Sequence, residues 1–261
     1  MAALIDVQGL TVRRSPTTIL DQIDWRVERG QHWVLLGPNG SGKTSLLQAL
    51  TGYLTPTAGK VEVFGQVYGR SYWPSLRERV GVVSVALAQQ IQGEETAVEV
   101  VASGRFAMLN FWGELTPALV AEAEALLEDL HVGYLARREW RLLSQGERQR
   151  VMTARGLMSQ AELLFLDEPC SGLDPVARER FLRWLEGVLA RPESPGVVLV
   201  THHLEEVVPG IEHALLLGKG VKIACGPLAE VLQPHLLSEA YGAEIGILRE
   251  NGRYRLQVKG C

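Results

Sequence analysis

Gly37-Pro38-Asn39-Gly40-Ser41-Gly42-Lys43-Thr44 fits the pattern G-x-x-x-x-G-K-[ST], and it stands between segments of two different periodicities. Before it, Trp33-Val34-Leu35-Leu36 is apolar throughout, as in a strand buried on both faces of a parallel sheet. After it, Leu46, Leu47 and Leu50 recur at helical spacing over residues 44–50, with Gly52 just beyond as a C-cap signal. Strand, glycine-rich loop and helix form a context with a mechanism. Glycines let backbone N–H groups turn inward as an anion nest, and the helix adds the positive end of its dipole. The chain is therefore expected to be an α/β protein whose loop, Gly37 to Ser45, cradles phosphate. Lys43 is expected at the outer phosphates and the Thr44 hydroxyl at Mg²⁺.

Two further segments carry chemistry. Leu163-Leu164-Phe165-Leu166-Asp167-Glu168 reads as an apolar strand ending in two carboxylates. Asp167 would hold Mg²⁺ through water, and Glu168 would orient or deprotonate an attacking water. In Leu143-Ser144-Gln145-Gly146-Glu147, Ser144 is a good N-cap and Glu147 stands three residues later, which is a capping box. A helix so capped presents its N-terminus to an anion, and Gly146 lets the backbone approach closely.

Composition sets the surroundings. Among 261 residues, 46% are hydrophobic and 21% charged, enough apolar side chain to offset chain entropy on burial. No apolar run is long enough to span a bilayer, and the N-terminal Met-Ala-Ala-Leu-Ile-Asp-Val, with no basic stretch and an early Asp6, is not expected to act as a signal peptide. The net charge of −4 disfavours nucleic acid as a partner. Cys170, Cys225 and Cys261 are too scattered for a disulfide framework or zinc site. The expectation is a reduced, intracellular, soluble protein. Strands are expected at Ala3–Val7, Trp25–Val27, Val61–Phe64, Val80–Val85, Leu163–Leu166 and Val197–Val200. Helices are expected at Val98–Met108, Pro117–Leu130, Gln145–Met158 and Pro175–Leu189.

The order of loop, capped helix and acidic strand resembles that of ATP-binding-cassette (ABC) ATPases. Leu143 to Glu147 is similar to their L-S-G-G-Q signature, departing at Gln145 and Glu147. Ser171-Gly172-Leu173-Asp174 resembles the D-loop, usually S-A-L-D. Thr201-His202 resembles the switch-histidine motif, and His203 follows directly. The resemblance spans roughly residues 4 to 245. It implies a P-loop NTPase with an N-terminal antiparallel β subdomain and a RecA-like core (about 1–90 and 160–220). A helical subdomain (91–158) is inserted, and a C-terminal extension (221–261) follows. It also implies a head-to-tail homodimer holding ATP and Mg²⁺, with Ser144, Gly146 and Asp174 of one copy completing the partner's site. His202 would sense the γ-phosphate.

Two motifs are ambiguous. Where the family stacks adenine on an aromatic ring, Thr11-Val12-Arg13-Arg14-Ser15 offers none. Arg14 falls at the counted position, and a guanidinium either stacks there on the purine or stays solvated. For the glutamine that links Mg²⁺ to the helical insert, both Gln89 and Gln90 qualify and Gln89 is favoured. Cys170 is expected to be a small core-facing residue.

The resemblance implies a subunit of a membrane transporter at the inner face of the cell membrane, joined to an integral-membrane permease. An extracytoplasmic substrate-binding protein belongs to the importer version. A soluble ATP-gated dimer is the alternative. Phe106-Ala107-Met108-Leu109-Asn110-Phe111-Trp112 either docks the permease or forms the helical subdomain's own core. Leu237 to Gly242 and the strand-like pieces after it resemble the tails of iron-chelate and cobalamin importers. The run Thr201 to Glu206 resembles molybdate-type cassettes.

Overall fold

The computed structural model describes residues 3–159, 161–250 and 252–259. The chain divides into two compact units, Met1–Leu76 with Leu189–Cys261, and Arg77–Val188.

The first unit begins with β1 (Ile5–Arg14) and β2 (Thr17–Val27), an antiparallel hairpin. In β2, buried Ile23, Trp25 and Val27 alternate with exposed Gln22, Asp24 and Arg26, the period of a half-buried strand. β1 runs well beyond the Ala3–Val7 stretch expected from the pattern, and β2 is the longer strand of which Trp25–Val27 is the expected part. Register shifts interrupt the alternation, with Gly9 and Gln22 at positive φ, so the pattern reads as broken where the ladder continues. β3 (Trp33–Leu36) leads into the glycine-rich loop and α1 (Lys43–Leu50). β4 (Ala58–Val63) and β5 (Gln66–Val67) complete a sheet of order β2-β1-β4-β5. β4 stops one residue short of Phe64, which takes φ +53°.

The second unit opens with β6 (Val80–Val83). The expected strand continued to Val85, but Ser84 caps a one-turn helix, α2 (Val85–Ala88), by accepting from the Leu87 N–H. α3 (Ala97–Ser103) starts on a Thr96–Glu99 capping box. It ends earlier than the expected Met108, because a 3₁₀ turn follows at Gly104–Phe106 and Ala107 takes φ +51°. α4 (Pro117–Asp129) is capped by Thr116, and α5 (Gln145–Met158) by Ser144. β7 (Leu163–Asp167) pairs parallel with β6, and α6 (Pro175–Leu189) closes the unit. α5 is central, packing on α3, α4 and β6. Two glycines permit that approach. A Cβ on Gly81 would lie 2.4 Å from the Gly156 carbonyl, and one on Gly104 would lie 2.1 Å from that of Arg155.

The chain returns to the first unit with β8 (Gly196–Thr201), β9 (His213–Gly218) and β10 (Val221–Pro227). β3 lies between β8 and β9, parallel to both, and β10 runs antiparallel beside β9. Every residue of β3 and β8 is buried, as the continuous apolar pattern predicts for two-sided coverage. α7 (Leu228–Val231) and α8 (Pro234–Tyr241) precede a terminal hairpin, β11 (Ile245–Glu250) with β12 (Arg253–Val258). No helix among the described residues is long and apolar enough to cross a membrane.

Phe165 is 1% exposed within a strand whose every residue is buried. Phe165→Ala is expected to destabilise the protein by about 3–5 kcal/mol, through lost burial plus the cavity left behind. Denaturant unfolding of the parent and variant measures it.

Candidate functional site

The first unit contributes the phosphate loop. β3 stops at Leu36, and Gly37 turns the chain at φ +151°. A Cβ there would lie 2.3 Å from the Leu217 carbonyl of β9 and 2.6 Å from Ser41 Oγ, so only glycine fits. At Gly42, φ +98°, a Cβ would meet the Leu20 side chain of β2 at 2.5 Å. The loop is thus clasped by Leu20, Leu217 and the 219–220 turn, where the Gly220 N–H donates to the Ser41 carbonyl.

Buried Lys43 opens α1, its Nζ donating to the Gly37 and Pro38 carbonyls at 2.8 and 3.1 Å. Thr44 is exposed and Ser45 half-buried. Ser41 Oγ is buried with no hydrogen-bond partner among the described residues. A donor hydroxyl held in reserve, beside the N–H groups that begin a helix, fits an incoming phosphate oxygen. Arg14 is the exposed last residue of β1, opposite Thr17 and near the end of the hairpin whose Leu20 touches the loop.

The same unit holds His202 just past β8. Its ring lies against that of His203, centroids 3.9 Å apart. Its backbone is braced from two sides. The Tyr241 hydroxyl of α8 donates to the His202 carbonyl at 3.1 Å. The buried Thr201 hydroxyl donates to Glu206 Oε2 at 2.6 Å and accepts from the His203 N–H.

The second unit carries the acidic strand end. Asp167 is buried at the end of β7. Glu168 follows at φ +51°, a left-handed conformation that costs a non-glycine residue roughly 1 kcal/mol or more. The turn is closed by the Ser171 N–H donating to the Glu168 carbonyl. Cys170 is buried, as expected.

Ser144 begins α5 with both halves of the capping box in place. Its N–H and hydroxyl each donate to Glu147 Oε2 at 2.8 Å, and the Glu147 N–H returns to Ser144 Oγ. A Cβ on Gly146 would meet Leu173 at 3.2 Å. Asp174 Oδ1 accepts from the Val176 and Ala177 N–H groups, so this carboxylate starts α6. Those two N–H donors hold it below the usual carboxylate range, with Arg180 and Arg150 adding to the effect.

Gln89 and Gln90 differ in surroundings. The Gln90 carboxamide folds back to donate to the Ala86 carbonyl. Gln89 lines a cavity of about 250 Å³ with Val85, Ala88, Gln145, Arg148 and Gln149. Asn110, at φ +58°, accepts from the Gln92 N–H and donates to the Gln90 carbonyl. The 106–112 segment is not a core: Trp112 is 80% exposed, Phe106 44% and Met108 41%. Phe106 and Phe111 stack on each other, and Arg155 donates to the Met108 carbonyl.

No group of three His, Cys, Asp or Glu among the described residues could hold a metal. Asp167, a buried carboxylate at the end of β7, and the hydroxyl of exposed Thr44 near the start of α1 are oxygen donors of the kind Mg²⁺ takes.

The family model described as "ABC transporter" matches residues 20–171, more than half of the chain. The chain belongs to the ABC transporter family. It is 37% identical to the uncharacterized ABC transporter ATP-binding protein YlmA of Bacillus subtilis (strain 168), over 96% of this chain and 95% of that one. It is 36% identical to the hemin import ATP-binding protein HmuV of Bordetella avium (strain 197N), over 94% of each. Among solved structures, a chain of a metal-chelate type ABC transporter in an inward-facing conformation superposes with a TM-score of 0.78. It shares 26% identity, with 98% of this chain and 96% of that one covered.

The fold is therefore the P-loop NTPase fold of ABC cassettes, with an N-terminal antiparallel sheet and a core of parallel strands. Sequence reasoning missed the residues that brace the motifs: Leu20, Leu217 and Gly220 around the phosphate loop, Tyr241 and Glu206 behind His202, and Asn110 beside the glutamines. Apart from Glu206, which lies close in sequence to Thr201, each is remote in sequence from what it holds, and no local pattern marks it.

Burial pushes the Glu147 carboxyl up, but the donors from Ser144 and Tyr134, with Arg138 nearby, outweigh it and hold it below its usual 4.5. A carboxylate with a depressed folded value contributes its full stability above 4.5 and loses it as pH falls through the folded value. The stability difference between the parent and Glu147→Gln is expected to shrink as pH is lowered from about 6 to below 4.5. Unfolding measured across that range tests it.

Proposed function

We propose that this ABC family member is the ATP-binding and ATP-hydrolysing subunit of a membrane transporter. It works as a head-to-tail pair at the cytoplasmic face, docked to a separate integral-membrane permease. In the importer version an extracytoplasmic protein delivers the substrate. The working division is a RecA-like core of residues 1–90 and 160–220, a helical subdomain of 91–158 and a C-terminal extension of 221–261.

Residues 37–45 grip the phosphates, Lys43 leaving its loop carbonyls for phosphate oxygens. Arg14 stacks on the base. Ser144 and Gly146 of the second copy offer a helix N-terminus to the same nucleotide, and Asp174 fixes the turn beside them. Thr44, Gln89 and Asp167 would hold Mg²⁺, which supplies charge neutralisation at the phosphates. Glu168 takes the proton of the attacking water, and its strained backbone suits a side chain aimed for chemistry rather than packing. His202 donates to the outermost phosphate.

The observation that carries the transporter reading is the bridge made by Asn110. Its side chain ties an exposed aromatic segment to the backbone on both sides of Ile91, at Gln90 and at Gln92. A surface of Phe106, Met108 and Trp112 is therefore linked through Asn110 to the residues that follow Gln89. Exposed aromatics and Met are the side chains that anchor partner interfaces.

Glu168→Gln is expected to bind ATP as the parent does, to lose turnover by about 10²–10⁴, and to shift to a dimer with ATP in light scattering. Undiminished hydrolysis would overturn the role of Glu168. Trp112→Ala, at a position 80% exposed, is expected to keep the fold and basal ATPase activity while losing membrane association in cells. A variant that still pellets with membranes would overturn the docking role of Trp112, and a parent that never pellets would favour the soluble ATP-gated dimer.

A further inference from the structure

Gln145 stands second after Leu143 in the signature, and Gly172 stands second in the D-loop. The two positions meet. Gln145 Nε2 donates to the Ser171 carbonyl at 3.3 Å. A Cβ on Gly172 would lie 2.2 Å from that Nε2, 2.3 Å from the carboxamide carbon and 2.6 Å from its oxygen. Any side chain at residue 172 would therefore displace the carboxamide, and φ +75° further reserves the position for glycine. Where Gln145 fills space, residue 172 leaves it. The next pair along matches: a Cβ on Gly146 would lie 3.2 Å from Leu173.

The turn so held is the one that carries Glu168. The Ser171 N–H donates to the Glu168 carbonyl at 3.0 Å and the Leu173 N–H to the Cys170 carbonyl at 3.1 Å. Two hydrogen bonds, both made by Ser171, thus join the Gln145 side chain to the backbone of Glu168. On its other side, Gln145 lines the cavity that Gln89 also lines.

We propose that Gln145 is a positioning residue. Its carboxamide locks the 171–173 turn to the start of α5, so the helix end that carries Ser144 also sets the backbone of Glu168. The inference rests on the proposed ATPase function for its kinetic readout but not for its structural one. If Ser144 engages the nucleotide of the second copy, a shift of α5 reaches Glu168 of its own copy directly.

Gln145→Met keeps the length, removes the donor and adds no charge at the start of α5. Its kcat is expected to fall about three- to tenfold, the worth of one hydrogen bond, with the ATP KM and thermal unfolding unchanged. Hydrogen exchange at the 171–173 amides is expected to quicken. Gly172→Ala is expected to lower kcat more than Gln145→Met, and to cost less in a Gln145→Gly background, where no carboxamide is displaced. The φ strain is common to both backgrounds and cancels in the cycle.

Parental kcat and exchange in Gln145→Met would overturn the proposal. So would a Gly172→Ala cost that is the same with and without the Gln145 side chain. A parent that turns over no ATP would count against the ATPase reading, and the exchange measurement would still decide the interlock.

Discussion

The phosphate loop depends on a steric constraint at Gly37. The chain leaves a fully buried parallel strand and must turn at once beneath the Leu217 carbonyl, where a Cβ would come within 2.3 Å. That contact exists because β9 lies directly beside β3. The loop's shape is therefore set by the neighbouring strand and not by the loop's own residues alone. With Leu20 and the 219–220 turn closing the other side, the N–H groups at the start of α1 are pre-aimed, and the cost of ordering them is met during folding rather than during binding.

Around this scaffold, the candidate site segments are held by neutral polar ties from side chains to the backbone. Tyr241 grips the His202 carbonyl, Asn110 grips Gln90 and Gln92, and Gln145 grips Ser171. A neutral hydrogen bond contributes about 0.5–1.5 kcal/mol net. Ties of that size orient a segment without freezing it. Glu168 is the contrast: its positive φ is imposed by the closed 168–171 turn, so strain is accepted where direction matters most.

Exposure divides the second unit's apolar residues by role. Leu127, Val151, Met152 and Phe165 are buried, whereas Phe106, Met108 and Trp112 project from a loop pinned at its base by Arg155 and Asn110. Periodicity cannot separate the two groups, because both are apolar runs beside helices. The difference arises from Gly104, which packs against the Arg155 carbonyl, and from Ala107, where the chain turns out of the helix.

The order of motifs was legible from residues alone, because each is local: an anion nest needs glycines at short spacing, a capping box needs Ser144 and Glu147 three apart, and a buried strand needs an unbroken apolar run. The α/β class and the family followed from that order. Strand lengths in the N-terminal hairpin were not legible, since bulges near Gly9 and Gln22 break the alternation that reveals a strand. Neither was the one-turn helix after Val83, whose start rests on the Ser84 cap. The distinction between Gln89 and Gln90, the exposure of Trp112, and the pairing of Gln145 with Gly172 were decided only by tertiary structure. Adjacent glutamines are equivalent in sequence, and they become different only when one folds back on its own helix and the other lines a cavity. A local pattern specifies which conformations a segment can adopt; which neighbour it meets depends on segments tens to hundreds of residues away, and that is where these choices are made.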